Sequence, residues 1–267
     1  MEPRPSSLRA FPTLARAWCA ALDLLFPRRC AACGAPIPEP DGSQICLKCL
    51  KNLPLIDRED ACERCGLPLG PYALDHEGRW CEGCRTLPFA GFRRACAVGT
   101  YEGSLRRAIC RFKYARRPHL ARTLGGMIAE LAREEYVAET DEDAEEDCPG
   151  PEVVVSVPLH PARRKSRTFD QAEILAEAVA EALDIDYARG AMARVVDTPT
   201  LTRQSREQRA ETVKGAFEVV KPGAVEGRRV LLVDDVMTTG ATASECARVL
   251  KKAGAKETAV CVLARTP

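Results

Sequence analysis

Val230-Leu-Leu-Val-Asp-Asp-Val-Met-Thr-Thr-Gly-Ala-Thr242 is the stretch that decides the fold. Four apolar residues run straight into two carboxylates, Asp234 and Asp235. A short Thr/Gly loop then leads into a helix-like pattern from Ala243 to Ala253. In open α/β sheets, ligands bind where strands end and loops enter helices. Acids delivered to that edge can accept hydrogen bonds from vicinal hydroxyls, and charged acceptors make such bonds roughly twice as strong as neutral ones. Backbone N–H groups at the start of the next helix, aided by its dipole, hold phosphate. The stretch suits a phosphorylated sugar.

Three other readings compete. Receiver domains that accept a phosphoryl group also carry acids after a strand, but near their start. About thirty residues follow Asp235 here, too few for the rest of such a fold. A Walker-type nucleotide loop needs a Lys after its Gly, and Gly240 is followed by Ala241. A buried strand ending in Asp-Asp without a function is disfavoured, because packing alone rarely justifies adjacent acids there.

The 267 residues allow one large or two modest domains. A net charge of +1 predicts neither nucleic acid nor membrane for the chain as a whole. Locally the balance is uneven. Between Ser104 and Arg122 lie seven basic residues (Arg106, Arg107, Arg111, Lys113, Arg116, Arg117, Arg122) and no acid. Seven acids crowd Glu139–Asp147, and with Pro149-Gly150 they read as a disordered surface insertion over 139–150. No apolar run approaches the roughly 18 residues of a membrane span. Residues 1–27 hold an amphipathic helical pattern (Leu14, Ala17, Trp18, Ala21, Leu22, Leu25), interrupted by Arg16 and Asp23, unlike a signal peptide. The expected location is the cytoplasm.

Eight of the fourteen cysteines form Cys-x-x-Cys pairs: Cys30/Cys33, Cys46/Cys49, Cys62/Cys65 and Cys81/Cys84. Twelve residues separate the first two pairs and fifteen the last two. Each pair can place two thiolates on one tetrahedral ion, so two turns close a four-cysteine zinc site. Gly34 and Gly66 follow two of the cysteines, where tight turns need relaxed backbone geometry. Disulfides or a redox dithiol are disfavoured because no secretion signal accompanies the pairs. Four thiolates leave no open coordination position, so both zinc sites are expected to be structural. Structural zinc contributes on the order of 10–16 kcal/mol of apparent binding energy, and residues 28–88 are expected to form a double zinc ribbon held by it. Sequential pairing is preferred, with a cross-braced arrangement as the alternative. Cys19, Cys96, Cys110, Cys148, Cys246 and Cys261 are scattered and read mostly as small buried apolar residues.

A linker at Thr86–Gly91 leads into a domain over 92–267. Its pattern predicts a strand at Arg94–Tyr101, helices from Gly103 to Tyr114 and from Pro118 to Tyr136, and a short strand at Val153–Val157. Helices follow at Phe169–Leu183 and Ser205–Thr212, and a last strand at Thr258–Leu263. This alternation predicts an α/β domain with a parallel sheet flanked by helices. The loop after Val157 carries Arg163, Arg164, Lys165 and Arg167. These are either a solvated surface or a clamp for pyrophosphate, which flexible guanidinium groups can bind and release. Arg206 and Arg209, one turn apart, either cover the site or are solvated. His119 and His160 have no zinc-like spacing and read as incidental.

The stretch Val230–Thr242 resembles the signature of type I phosphoribosyltransferases. The whole arrangement is similar to the ComF competence family, which joins a double zinc ribbon to such a domain. Further stretches carry the resemblance: Leu25-Phe-Pro27, Arg111-Phe-Lys-Tyr114, Val157-Pro-Leu-His-Pro161, Thr198-Pro199 and Lys214-Gly-Ala-Phe217. The resemblance implies binding of phosphoribosyl pyrophosphate with Mg2+. Asp234 and Asp235 take the ribose hydroxyls, and Val236, Thr238, Thr239, Gly240, Ala241 and Thr242 the 5′-phosphate. It also implies a link to DNA uptake or natural transformation. An alternative is a non-catalytic module for single-stranded DNA, using the phosphoribosyl site as a sensor or scaffold. The chain departs from the family pattern at Arg167-Thr-Phe-Asp-Gln171, Leu201, Arg203 and Thr212. Asp170 is expected to add negative charge near the pyrophosphate path.

Overall fold

The structure is a computed structural model that describes residues 28–37, 43–70, 79–86, 91–114, 117–136, 150–161, 169–198 and 206–266. The amphipathic pattern of 1–27, the acidic run 139–149 and the basic loop 163–167 lie outside the described residues.

Five parallel strands form the central sheet in the order β1-β7-β6-β2-β3: β1 (Ala95–Thr100), β2 (Val153–Ser156), β3 (Asp186–Tyr187), β6 (Arg229–Met237) and β7 (Glu257–Arg265). Strands β4 (Met192–Arg194) and β5 (Phe217–Val219) make a separate antiparallel pair. Parallel strands need crossovers, and helices supply them. Helix α3 (Gly103–Tyr114) and helix α4 (Leu120–Tyr136) lie between β1 and β2 in the chain. Helix α5 (Gln171–Leu183) joins β2 to β3, and α7 (Ala241–Lys252) joins β6 to β7. Helix α6 (Arg206–Val213) precedes β5.

Side chains alternate across a strand, so β6 and β7 feed two separate cores. Leu231, Val233, Ala259, Cys261 and Leu263 pack with Leu105, Phe112, Leu124 and Leu175 from α3, α4 and α5. Val230, Leu232, Val260 and Val262 pack with Cys246, Ala247 and Leu250 of α7, and with Phe217 of β5. Burial on both faces is why Val230–Val233 is apolar without interruption. The scattered Cys96, Cys246 and Cys261 are buried, and burial raises their thiol pKa values, that of Cys96 to about 12.

The cysteine-rich segment straddles the β1 edge. Cys30 and Cys49 join the core of α3 and α4, whereas Cys62, Cys65, Cys81 and Cys84 join the core of α7. Two short helices, α1 (Leu47–Leu50) and α2 (Glu82–Thr86), each begin one residue after a cysteine, Cys46 and Cys81. The two halves repeat one design, with Cys30 N–H bonding Ala35 O and Cys62 N–H bonding Leu67 O, both at 2.8 Å. Ala95 N–H donates to Arg64 O (2.9 Å) and Thr100 N–H to Pro54 O (2.8 Å), which fix both halves to β1. Gly66 has a left-handed φ of 62°, and a Cβ there would stand 2.8 Å from Ala95 O. A side chain at 66 would push the second turn off β1. Among the described residues, no helix is long and apolar enough to cross a membrane.

Candidate functional site

The cysteines gather in chain order: Cys30, Cys33, Cys46 and Cys49 in one cluster, and Cys62, Cys65, Cys81 and Cys84 in the other. Within each cluster the ligand atoms all lie within 4.8 Å of one another. Four sulfurs around zinc at about 2.3 Å define a tetrahedron with edges of about 3.8 Å. The Cys33–Cys46 and Cys65–Cys81 Sγ pairs, at 3.8 and 3.6 Å, match that edge. Backbone donors are already aimed at the sulfurs: Ala32 and Cys46 N–H at Cys30 Sγ, and Cys81 N–H at Cys62 Sγ, all 3.3 Å. N–H donors of this kind orient metal ligands from outside the coordination sphere. The residues present fit two structural zinc-ribbon sites, and the preferred sequential grouping is the one the fold produces.

The acid pair sits inside β6 rather than at its tip, since the strand runs on to Met237. Strand alternation sends the two carboxylates to opposite sides of the sheet. Asp235 meets α3, where Lys113 Nζ is 2.8 Å from its Oδ1. Asp234 lines a hollow in front of α7, and its Oδ1 accepts the Asp235 N–H at 2.8 Å. Burial, and after it the charge of Asp235, raise the Asp234 pKa from the ordinary carboxylate value to about 8. Burial opposes the Lys113 charge, but Asp235 more than offsets this and the Lys113 pKa rises.

That hollow has a volume of about 40 Å³ and opens to solvent. Asp234, Val236, Met237, Thr238, Thr239, Gly240, Ala241, Thr242, Ala243 and Val262 line it. Gly240 caps α7 with φ 82°, a left-handed conformation that costs an L-residue roughly 1–2 kcal/mol. Thr239 Oγ1 receives a bond from Ala241 N–H (3.4 Å). The first amides of α7 lack helical partners and carry the positive end of its dipole, beside a carboxylate-bearing wall. The arrangement offers anion donors and hydroxyl acceptors within one cavity.

Of the two arginines on α6, Arg209 reaches the loop, with Nη1 donating to Thr238 Oγ1 at 2.7 Å. Arg206 opens the same helix, and its side chain lies outside the described residues. Asp170 does not face the site as a loose charge. It is buried, caps α5 by accepting from Ala172 and Glu173 N–H, and also accepts from Leu159 N–H at 3.2 Å. Lys113 is the residue that sequence reasoning passed over: it was visible as part of a basic helix and of Arg111-Phe-Lys-Tyr114, without its destination. Its neighbours Arg107 and Arg111 donate to Ala32 O (2.9 Å) and Cys30 O (2.6 Å). Helix α3 thereby joins the first zinc cluster to the acid pair.

Models of two families match the chain: a double zinc ribbon domain over residues 21–85 and a phosphoribosyl transferase domain over 170–267. Competence protein F of Haemophilus influenzae is 32% identical, covering 82% of this chain and 88% of its own length. The DNA utilization protein YhgH of Escherichia coli K12 is 31% identical, covering 77% and 84%. Among solved structures, a purine phosphoribosyltransferase from Pyrococcus horikoshii shares 21% identity over 55% of this chain and 74% of that one, with a TM-score of 0.32. With its two four-cysteine sites, its parallel sheet and relatives of nearly full length, the chain belongs to the ComF family of competence and DNA utilization proteins.

Proposed function

We propose that the edge formed by β6 and α7 binds phosphoribosyl pyrophosphate with Mg2+, and that the protein uses this site in DNA uptake. The observation that carries the reading is the hollow itself. The carboxyl of Asp234 and the first residues of a helix N-terminus line one cavity, the kind of convergent polar grouping that fixes a small ligand. In this reading Thr238–Thr242 hold the 5′-phosphate, and the ribose sits beside β6 beyond the end of its pairing with β2, where its hydroxyls meet Asp234 from one face and Asp235, shared with Lys113, from the other. Mg2+ characteristically binds through one or two carboxylates plus substrate phosphates. Asp235 supplies such a carboxylate, and Asp234, whose pKa is raised to about 8, would ionise beside the added positive charge. Arg209, already at Thr238, covers the phosphate end, and the basic residues Arg163, Arg164, Lys165 and Arg167 take the pyrophosphate.

The chemistry open to such a site is substitution at the anomeric carbon with pyrophosphate leaving. Positioning and charge stabilisation would do most of the work, without a covalent protein nucleophile. The names of the relatives, competence protein F and DNA utilization protein, support the biological setting. They also favour a second reading, a module for single-stranded DNA. Against it, Arg107, Arg111 and Lys113 of the basic stretch are engaged internally, and aromatic residues make up only 5% of the chain, too few for a stacking platform.

Phosphorus NMR separates the two readings. Titrating the zinc-loaded chain into phosphoribosyl pyrophosphate and Mg2+ should broaden and shift the 5′-phosphate resonance. Unchanged resonances, together with salt-sensitive binding of an oligonucleotide, would replace the first reading with the second.

A further inference from the structure

Arg265 ends β7 and is 3% exposed. A buried guanidinium without counter-charge is costly, yet among the described residues no carboxylate pairs with it. Its partners are of another kind. Nε donates to Cys65 O (3.2 Å), Nη2 lies 3.8 Å from Cys65 Sγ, and Nη1 donates to Met237 O (3.2 Å) and Thr266 O (3.1 Å). Four thiolates around one Zn2+ carry a net charge of −2, so the second cluster, once loaded, is the counter-charge this cation lacks. Met237 is the strand residue immediately before Thr238, and Met237 and Arg265 are the last pair in the β6–β7 register. One rigid, planar side chain thus touches a zinc ligand at one end and the root of the loop at the other.

We infer that Arg265 is a positioning residue that couples the second zinc cluster to the Thr238–Thr242 loop. Loading Cys62, Cys65, Cys81 and Cys84 fixes the guanidinium, and the guanidinium fixes Met237 O and the start of the loop. The inference rests on the reading of that loop as the phosphate-binding element. Coupling between binding sites is reciprocal, so a ligand on the loop must be felt at Cys65. The clusters then do more than fold the cysteine-rich segment: one of them sets the geometry of a cavity on the same face of the sheet.

The test uses the full chain with Co2+ in place of zinc, and phosphoribosyl pyrophosphate with Mg2+ as the probe. In the wild type, adding the probe shifts the thiolate-to-cobalt absorption. Arg265→Gln retains two metals per chain, loses that shift, and binds the probe roughly ten-fold or more weakly, the usual scale for loss of an outer-shell partner. Arg265→Lys keeps the charge without the fork and falls between. Equal affinity in Arg265→Gln and wild type, with binding abolished in Asp235→Asn, overturns the coupling and leaves the site reading standing. If the wild type itself does not bind the probe, the site reading falls and the coupling with it. Should Arg265→Gln fail to fold, the wild-type spectrum decides, and its indifference to bound probe overturns the inference.

Discussion

Lys113 Nζ and Asp235 Oδ1 lie 2.8 Å apart, with side chains only 15% and 12% exposed, so the acid pair of β6 is completed by a cation from α3. Removing one partner of a largely buried pair leaves an uncompensated charge, which costs more than the pair itself is worth. Lys113→Met should therefore lower stability by about 3 kcal/mol. Asp235→Asn should cost a similar amount, and the double variant much less than the sum. Urea unfolding of the four proteins gives the coupling directly, and additive losses would show that the pair is not formed.

Asp234 makes stability depend on pH with a sign that can be worked out. Its folded pKa is raised to about 8, whereas in the unfolded chain it ionises near 4. Between about 4 and 8 the folded state holds a proton that the unfolded state has lost, so stability falls as pH rises through this window and the loss is complete above it. Asp234→Asn removes this contribution. Its melting temperature should exceed that of the wild type far more at about pH 8.5 than at about pH 5. An equal effect at both values would place Asp234 in an unperturbed setting.

The two zinc clusters should release metal at different rates. Cys33 is exposed and Cys46 half-buried in the first cluster, while all four ligands of the second are buried. Attack by a chelator needs access to the ligands, so a colorimetric chelator should extract one zinc quickly and the other slowly. The slow phase should coincide with loss of helical circular dichroism, because structural zinc and folding are linked. A single phase for both metals would contradict this difference in access.

Asp170→Ala should destabilise the protein by about 1–2 kcal/mol, the scale of a lost helix cap. Asp170→Asn, which keeps an acceptor oxygen for the Ala172 and Glu173 amides, should retain most of that stability. Thermal melts of the two variants distinguish a cap from a mere surface charge, for which both would be neutral.

The sequence carried the sheet because Val230–Val233 has no polar interruption, and it carried the clusters because Cys-x-x-Cys spacing is metal geometry written in the chain. Strands β3, β4 and β5 span two or three residues each and are held by ladders to distant partners, so no local periodicity announces them. The expectation that β6 stops at the acids missed its continuation to Met237, since pairing with β7 outlasts the apolar pattern. Asp170 was legible as a charge but not as a cap, because its acceptor role depends on where α5 begins. Lys113 and Arg265 were hidden for a common reason. Their partners, Asp235, Cys65 and Met237, are brought to them by tertiary packing across 122, 200 and 28 positions of sequence.

Calorimetric titration of the zinc-loaded chain with phosphoribosyl pyrophosphate at fixed Mg2+ addresses the central claim. The cavity between β6 and α7 predicts saturable binding of one ligand per chain, lost in Asp234→Asn/Asp235→Asn and weakened in Gly240→Val. Binding of equal strength in all three proteins, or no heat in any of them, would contradict it.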